Sequence, residues 1–251
     1  MTCEQMSNEF DTLLNSYSNQ AFFGEGSSRF DVVLDEYEKS VFLTQAQKQF
    51  VIGYYNGKNN LGFSFEEKEQ IREAIDSLVK TKILEQVGNE DVPDSAKHLF
   101  DNKHKFSFYT IPDNLLFIVF EEIKFSSYLS DCNKDASALV IPSTHDELWH
   151  RLQNPFRGPS KKRVLRLNVE DNLVELVSDY PIGSYMLRYI EEPNPIILVE
   201  LPDGLSIDGK TAVQSGSLPD FLHEEIVERA VTLILQSKSI ITNRQGNNKT
   251  T

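Results

Sequence analysis

Sulfur, tryptophan and long apolar runs are scarce in this chain of 251 residues, which carries 2 Cys, 3 Met and 1 Trp. With only Cys3 and Cys132, at most one disulfide can form, and a chain of this length needs no covalent framework, so two reduced thiols are expected. No CxxC pair or His/Cys cluster nominates a structural zinc, and neither metal nor cofactor is expected. The longest wholly apolar run is Leu115 to Phe120, six residues, against the roughly 20 that a membrane-spanning helix needs. The opening MTCEQMSNEF has no basic stretch followed by an apolar one, so a soluble chain without a membrane partner is expected. Positive charge is also in deficit. The 25 Lys and Arg face 38 Asp and Glu, a net −13 that disfavours nonspecific attraction to nucleic acid or anionic membrane and confines any such contact to a local patch.

Catalytic signatures are missing as well. A serine nucleophile asks for Gly-x-Ser-x-Gly, but Gln214-Ser215-Gly216-Ser217 has glycine on one side only and reads as a turn with a helix cap. Neither phosphate-binding pattern occurs, and Gly24-Glu25-Gly26 lacks the strand-to-helix context of a dinucleotide fingerprint. His145, Asp146, Glu147 and His150 look like metal ligands at first sight. The two histidines are five positions apart, however, and would diverge by roughly 140° around a helix, so the segment reads as helix-start carboxylates with two surface imidazoles. His223-Glu224-Glu225, at the start of the last helix, reads as solvated. Adjacent carboxylates such as Glu121-Glu122 and Glu191-Glu192 are what any acidic chain offers, and a glycosidase-like dyad has no support beyond them. No catalytic residue is assigned, and an enzyme is not expected.

What is present is apolar mass in a segmented pattern. Hydrophobic residues make up 39% of the chain, with 16 Phe and 9 Tyr, enough to pack one or two domains. A short helix is expected over Glu9 to Tyr17, followed by a loop at Gly24 to Ser28. Asp35 and Glu38 are spaced as a helix cap, and Phe42, Ala46, Phe50 and Tyr54 recur every four positions until Asn56-Gly57 stops the helix. Ser64 and Glu67 repeat the cap spacing before a stripe of Ile71, Ile75, Leu78 and Ile83, which predicts a second helix to about Val87 and hence a helical hairpin. Beyond the acidic, proline-containing Gly88 to Asp94 the period becomes two. Strands are expected at Phe106 to Thr110, Leu115 to Tyr128, Ala138 to Ile141, Arg163 to Val169, Leu173 to Val177, Tyr185 to Ile190 and Ile196 to Leu201, with a type I′ hairpin at Asp208-Gly209. Short connections favour an antiparallel sheet. A capped helix at Thr144 to Gln153 is inserted in it, and a final helix runs from Pro219 to Gln236. The expected fold is α+β: a mainly helical part at 1–93, an antiparallel β-rich part with a closing C-terminal helix at 94–236, and a flexible tail at 237–251 that orders on assembly.

One charge feature departs from the acidic background. Between Leu148 and Val169 lie Arg151, Arg157, Lys161, Lys162, Arg163 and Arg166 with no Asp or Glu. The stripe surrounds the loop NPFRGPSKK. It reads either as a solvated loop or as an electrostatic socket for an acidic surface, whether a copy of this chain, another protein or a nucleic acid backbone. The first hundred residues, with 17 acidic and 9 basic side chains, supply the opposite sign.

Four strings taken in order, DEYEKSVFLTQAQ from Asp35, STHDELWHRLQNPFRGP from Ser143, YPIGSYMLRYIEEPNPIILVEL from Tyr180 and LPDFLHEEIVERAV from Leu218, resemble a family of virion proteins of crAss-like bacteriophages. The resemblance implies a structural collar or tail-ring subunit of the head-to-tail connector below the portal, present in the virion neck and assembled in the host cytoplasm. It further implies stacked rings matching a twelvefold portal, the portal and other ring proteins as partners, and genomic DNA passing through the lumen without sequence-specific binding. A closed ring requires unlike, head-to-tail surfaces on each copy. The competing readings are a phage-encoded hydrolase and a monomeric protein-binding adaptor.

Overall fold

The structure, a computed structural model, describes residues 1–21, 33–58, 62–88, 92, 103–126, 136–170 and 172–247, without side chains at 18–21 and 238–247. The helices are α1 (Cys3–Ala21), α2 (Glu36–Tyr55), α3 (Glu69–Ile75), α4 (His145–Gln153) and α5 (His223–Asn247). The strands are β1 (Val79–Leu84), β2 (Gln86–Val87), β3 (Lys105–Thr110), β4 (Leu115–Phe125), β5 (Ser137–Pro142), β6 (Arg163–Glu170), β7 (Leu173–Ser178), β8 (Ile182–Glu191), β9 (Ile196–Ile197) and β10 (Gln214–Ser215). They form two compact units, Met1–Leu78 with Pro193–Thr251, and Val79–Glu192. The fold is α+β.

In the helical unit, α1 and α2 each pack on α5. Met6, Phe10 and Leu14 of α1, Leu43, Phe50 and Val51 of α2, and Ile226, Ala230 and Ile234 of α5 are buried at helical spacing. The cap expected at Asp35 forms in full: its carboxylate accepts from Glu38 N at 2.7 Å, and the Glu38 carboxylate accepts from Asp35 N at 3.2 Å. A second stripe on α2 is polar yet buried, because its partner is bare backbone. Ser40 accepts from Leu198 N at 3.0 Å, Thr44 accepts from Ile196 N at 3.0 Å, and Gln47 donates to Asn194 O at 2.7 Å. Lys39, also buried, reaches Asp11 on α1 at 2.7 Å.

The second helix expected from the stripe does not run to Val87 but stops at Ile75. Ser64 and Glu67 do bond, Glu67 accepting from Ser64 N at 2.7 Å, but they close a turn before α3 begins at Glu69. Helix gives way after Ile75 to a short 3-10 turn and then to β1. Ile71, Ile75 and Leu78 are buried as the stripe requires, whereas Ile83 is 66% exposed. The reason lies in Val79, Thr81 and Ile83: β-branched residues at alternate positions suit a pleated strand, and β8 supplies a partner.

The second unit is a closed sheet. Its strand order is β1-β8-β4-β5-β6-β7-β3-β2, and the two end strands are consecutive in the chain with only Glu85 between them. The segment 79–87 therefore pairs with β8 through β1 and with β3 through β2, and the sheet shuts into a barrel. Seven strands send alternate residues inward: Leu84, Tyr109, Ile123, Val140, Val164, Leu176 and Tyr185 belong to one buried cluster. On the outer face α4 lays Leu148 and Leu152 over Leu165, Leu167 and Val177. The strands expected between Phe106 and Ile190 stand where the alternation placed them, whereas the one expected at Ile196 to Leu201 is reduced to β9, which pairs with β10 outside this sheet, and one pair departs from an antiparallel sheet. β5 and β6 run parallel, Leu139 to Pro142 against Arg163 to Arg166, because the segment joining them carries α4 and returns the chain to the same edge.

The expected boundary at Gly88 to Asp94 and the loop at Gly24 to Ser28 lie largely or wholly outside the described residues. The Asp208-Gly209 hairpin is present, with φ of 50° and 75° and a bridge between Ile207 and Lys210. α5 runs on past Gln236 to Asn247.

Candidate assembly interface

The basic stripe divides by chemistry into side chains that build the loop and side chains that the loop displays. Arg151 is bound within α4, where Glu147 accepts from its Nε at 3.0 Å and its Nη2 at 2.7 Å. Arg163 turns back into the loop and donates from Nε to Gly158 O at 2.8 Å and from Nη2 to Phe156 O at 2.6 Å. Asn154 organises the other side. Its side chain accepts from Phe156 N at 2.9 Å, and its carbonyl accepts from Arg157 N at 3.0 Å and Gly158 N at 2.8 Å. Gly158 is required here by space, since a Cβ would lie 2.9 Å from Arg151 O and 3.1 Å from Asn154 O. The loop is thus fixed by its own hydrogen bonds.

Arg166 is not part of this surface. It points into the barrel, 9% exposed, with its Nε 2.9 Å from a Glu121 carboxylate oxygen. Tyr185 OH donates to the same carboxylate, and Arg166 also donates to Asn168. Burial raises the Glu121 carboxyl above its ordinary value, an effect that Arg166 and Tyr185 partly oppose. Burial, then the Glu121 charge, pushes the Tyr185 phenol up, and burial alone pushes Tyr109 up to about 12. The network satisfies a buried charge inside an otherwise apolar barrel.

Arg157, Lys161 and Lys162 remain on the surface, with no carboxylate partner among the described residues. Between the loop's anchors stands Phe156, 85% exposed. The sequence contained this signal as an aromatic within a proline- and glycine-bearing basic loop, but charge alone drew attention to the stretch. The barrel also carries a row of apolar residues interrupted by one carboxylate on its outer face. Ile83, Met186, Glu122 and Leu139 are cross-strand neighbours in register, and Ile83 and Leu139 are exposed. An open cleft of about 660 Å3 lies where β1 and β2 meet the end of β3, lined by Lys82, Leu84, Gln86, Thr110 and Asp113.

The helical unit is the acidic one, with 20 Asp and Glu against 11 Lys and Arg, compared with 18 against 14 in the barrel. Carboxylates of α1 and α5 approach one another, Glu9 lying close to Glu224 and Glu228. Partial burial and then repulsion from Glu224 and Glu228 raise the Glu9 carboxyl. His223, expected to be solvated, is instead 1% exposed, with Nε2 3.1 Å from Leu218 O, and burial lowers its pKa. The hydrogen bond to the preceding turn lets the ring enter the core as a neutral group. Glu225 accepts from Tyr54 OH at 3.2 Å. Among the described residues no group of three or more His, Cys, Asp or Glu side chains could hold a metal ion, and no helix is long and apolar enough to cross a membrane.

A closed barrel and a helical unit of unequal charge, with three exposed cations and an exposed aromatic on one rigid loop of the barrel, define an α+β protein whose distinctive chemistry lies on its surface. The chain belongs to the phage tail ring protein 3/4 family of crAss-like phages, whose family model matches residues 1–246. It is 39% identical to ring protein 3 of Bacteroides phage crAss001 over 248 residues, covering 96% of this chain and 98% of that protein. It is also 30% identical over 244 residues to ring protein 4/5 of the same phage, covering 93% and 92%.

Proposed function

We propose that this chain is a structural subunit of a ring in the tail of a crAss-like phage, part of the head-to-tail connector below the portal. The observation that carries the reading is the nearly full-length match to two different ring proteins of one phage. Copies join head to tail through unlike surfaces, as ring closure demands. The lateral contact pairs the basic barrel loop, through Arg157, Lys161 and Lys162, with the acidic helical unit of the next copy; the charge difference between the two units supports this pairing. Arg151, Arg163 and Arg166 serve the contact indirectly, by shaping the loop or the barrel behind it. The last residues of the chain, 237–251, contribute to assembly. A ring count of twelve matches the portal above, other ring proteins stack against it, and genomic DNA passes through the lumen without sequence-specific contact. The subunit is made and assembled in the host cytoplasm, resides in the virion neck and has no bond-making chemistry.

Electron microscopy of intact particles tests the reading. The expected result is density for this chain in the neck, in a closed ring whose copies can be counted. Absence from mature particles refutes it.

A further inference from the structure

We infer that Phe156 is the apolar anchor of the subunit contact, inserting against the acidic α1/α5 face of the helical unit in a second copy of this chain. The inference rests on the ring reading above and adds to it the residue that holds the contact together. A phenylalanine 85% exposed to water is a standing cost in a free monomer, and this one sits on a loop with no freedom to hide it. Phe156 N and O are both bonded, to Asn154 and Arg163, and Gly158 leaves no room for the loop to shift toward α4. A rigidly presented aromatic loses little entropy on docking, the property of interface hot spots. Arg157, Lys161 and Lys162, exposed on the same loop, supply the charge of a polar rim to this apolar centre.

The second copy offers a matching face. Phe221, 69% exposed, stands in the 3-10 turn that leads into α5, and Glu224 and Glu228, one helical turn apart on α5, are exposed just beyond it. Glu9 of α1 lies near enough to Glu224 and Glu228 to feel their charge. An aromatic with a carboxylate border thus faces an aromatic with a cationic border. A phosphate backbone would engage the three cations and leave Phe156 in water, so a protein partner fits the loop better than DNA does.

Self-association of the purified full-length chain, followed by sedimentation at low and high salt, tests the contact. Phe156→Ala should weaken association by about 30-fold, ~2 kcal/mol, at both salt concentrations while leaving the melting temperature of the monomer unchanged. Lys161→Glu with Lys162→Glu should weaken it chiefly at low salt, where charges are unscreened. Glu224→Lys with Glu228→Lys should do the same, and a chain carrying all four reversals should associate better than either pair alone. Wild-type association that Phe156→Ala leaves intact, or four reversals no better than two, overturns the contact while the ring reading stands on particle microscopy. A photo-crosslinking phenylalanine analogue at position 156 that joins DNA or a different protein in assembled particles also overturns it. A wild-type chain that neither associates nor appears in particles removes the ring reading itself.

Discussion

Arg163 donates to the Phe156 carbonyl at 2.6 Å across a seven-residue loop, so a cation that charge counting assigned to the surface is spent on shaping that surface. Arg163→Lys keeps the charge and loses the planar fork that reaches two carbonyls. The loop should loosen at a cost of about 1–2 kcal/mol. Hydrogen exchange should quicken at the amides of Arg157 and Gly158, now bonded to Asn154 O, while the barrel strands exchange as before. Unchanged exchange at both amides would show that Asn154 suffices.

Gly158→Ala should have a related effect through sterics alone. Its Cβ would meet two backbone oxygens that cannot rotate away. The variant should lose about 1–3 kcal/mol by denaturant unfolding, with wild-type stability indicating that the loop yields where its hydrogen bonds say it is fixed.

Inside the barrel, Arg166→Met leaves the Glu121 charge buried without its ion-pair partner, which should cost about 3–5 kcal/mol. Replacing both, as Arg166→Met with Glu121→Leu, should recover part of that loss, since an apolar pair replaces a buried ion pair at little cost while the buried Tyr185 hydroxyl loses its acceptor. Urea unfolding of the two variants decides the matter. Equal losses in both would mean that the pair stabilises the barrel beyond neutralising itself.

Glu121 and His223 contribute to the pH dependence with opposite sign. The Glu121 carboxyl titrates above its ordinary 4.5 in the fold, so its contribution is complete below that value and is lost as pH rises through the raised one. His223 titrates below its ordinary 6.5, so its contribution is complete above that value and is lost as pH falls through the lowered one. Melting temperature recorded from neutral to mildly acidic pH should therefore fall more steeply on acidification in Glu121→Gln than in the wild type, because the compensating gain is gone. Parallel curves would contradict the raised Glu121.

Asp35→Ala removes one half of the α2 capping box and should cost about 1 kcal/mol. Thermal unfolding reads it directly, and Asp35→Asn, which keeps an acceptor, should restore most of the difference.

Local chemistry carried a large share of the fold. Alternating β-branched and aromatic residues located β3 to β8 within a few positions, and the Asp35, Thr144 and Asp208-Gly209 signals each produced the expected cap or turn. The segment Val79 to Val87 was misread because Ile71, Ile75, Leu78 and Ile83 fit a helical period over a stretch whose second half has the composition of a strand. Only β8 and β3, more than 20 residues away in the chain, decide between the two. The basic stripe was visible as charge, but which cations remain free depended on Glu147, Glu121 and two loop carbonyls.

The sequence by itself determined the class of the fold, the positions of β3 to β8, its acidic balance and the single basic stretch, since each follows from the order and kind of neighbouring residues. Tertiary structure alone decided that the strand before Glu85 and the strand after it close one barrel, that Arg166 turns inward to Glu121, and that Phe156 is held out in water. These outcomes depend on partners distant in the chain, and on backbone carbonyls that every residue has and composition therefore cannot reveal.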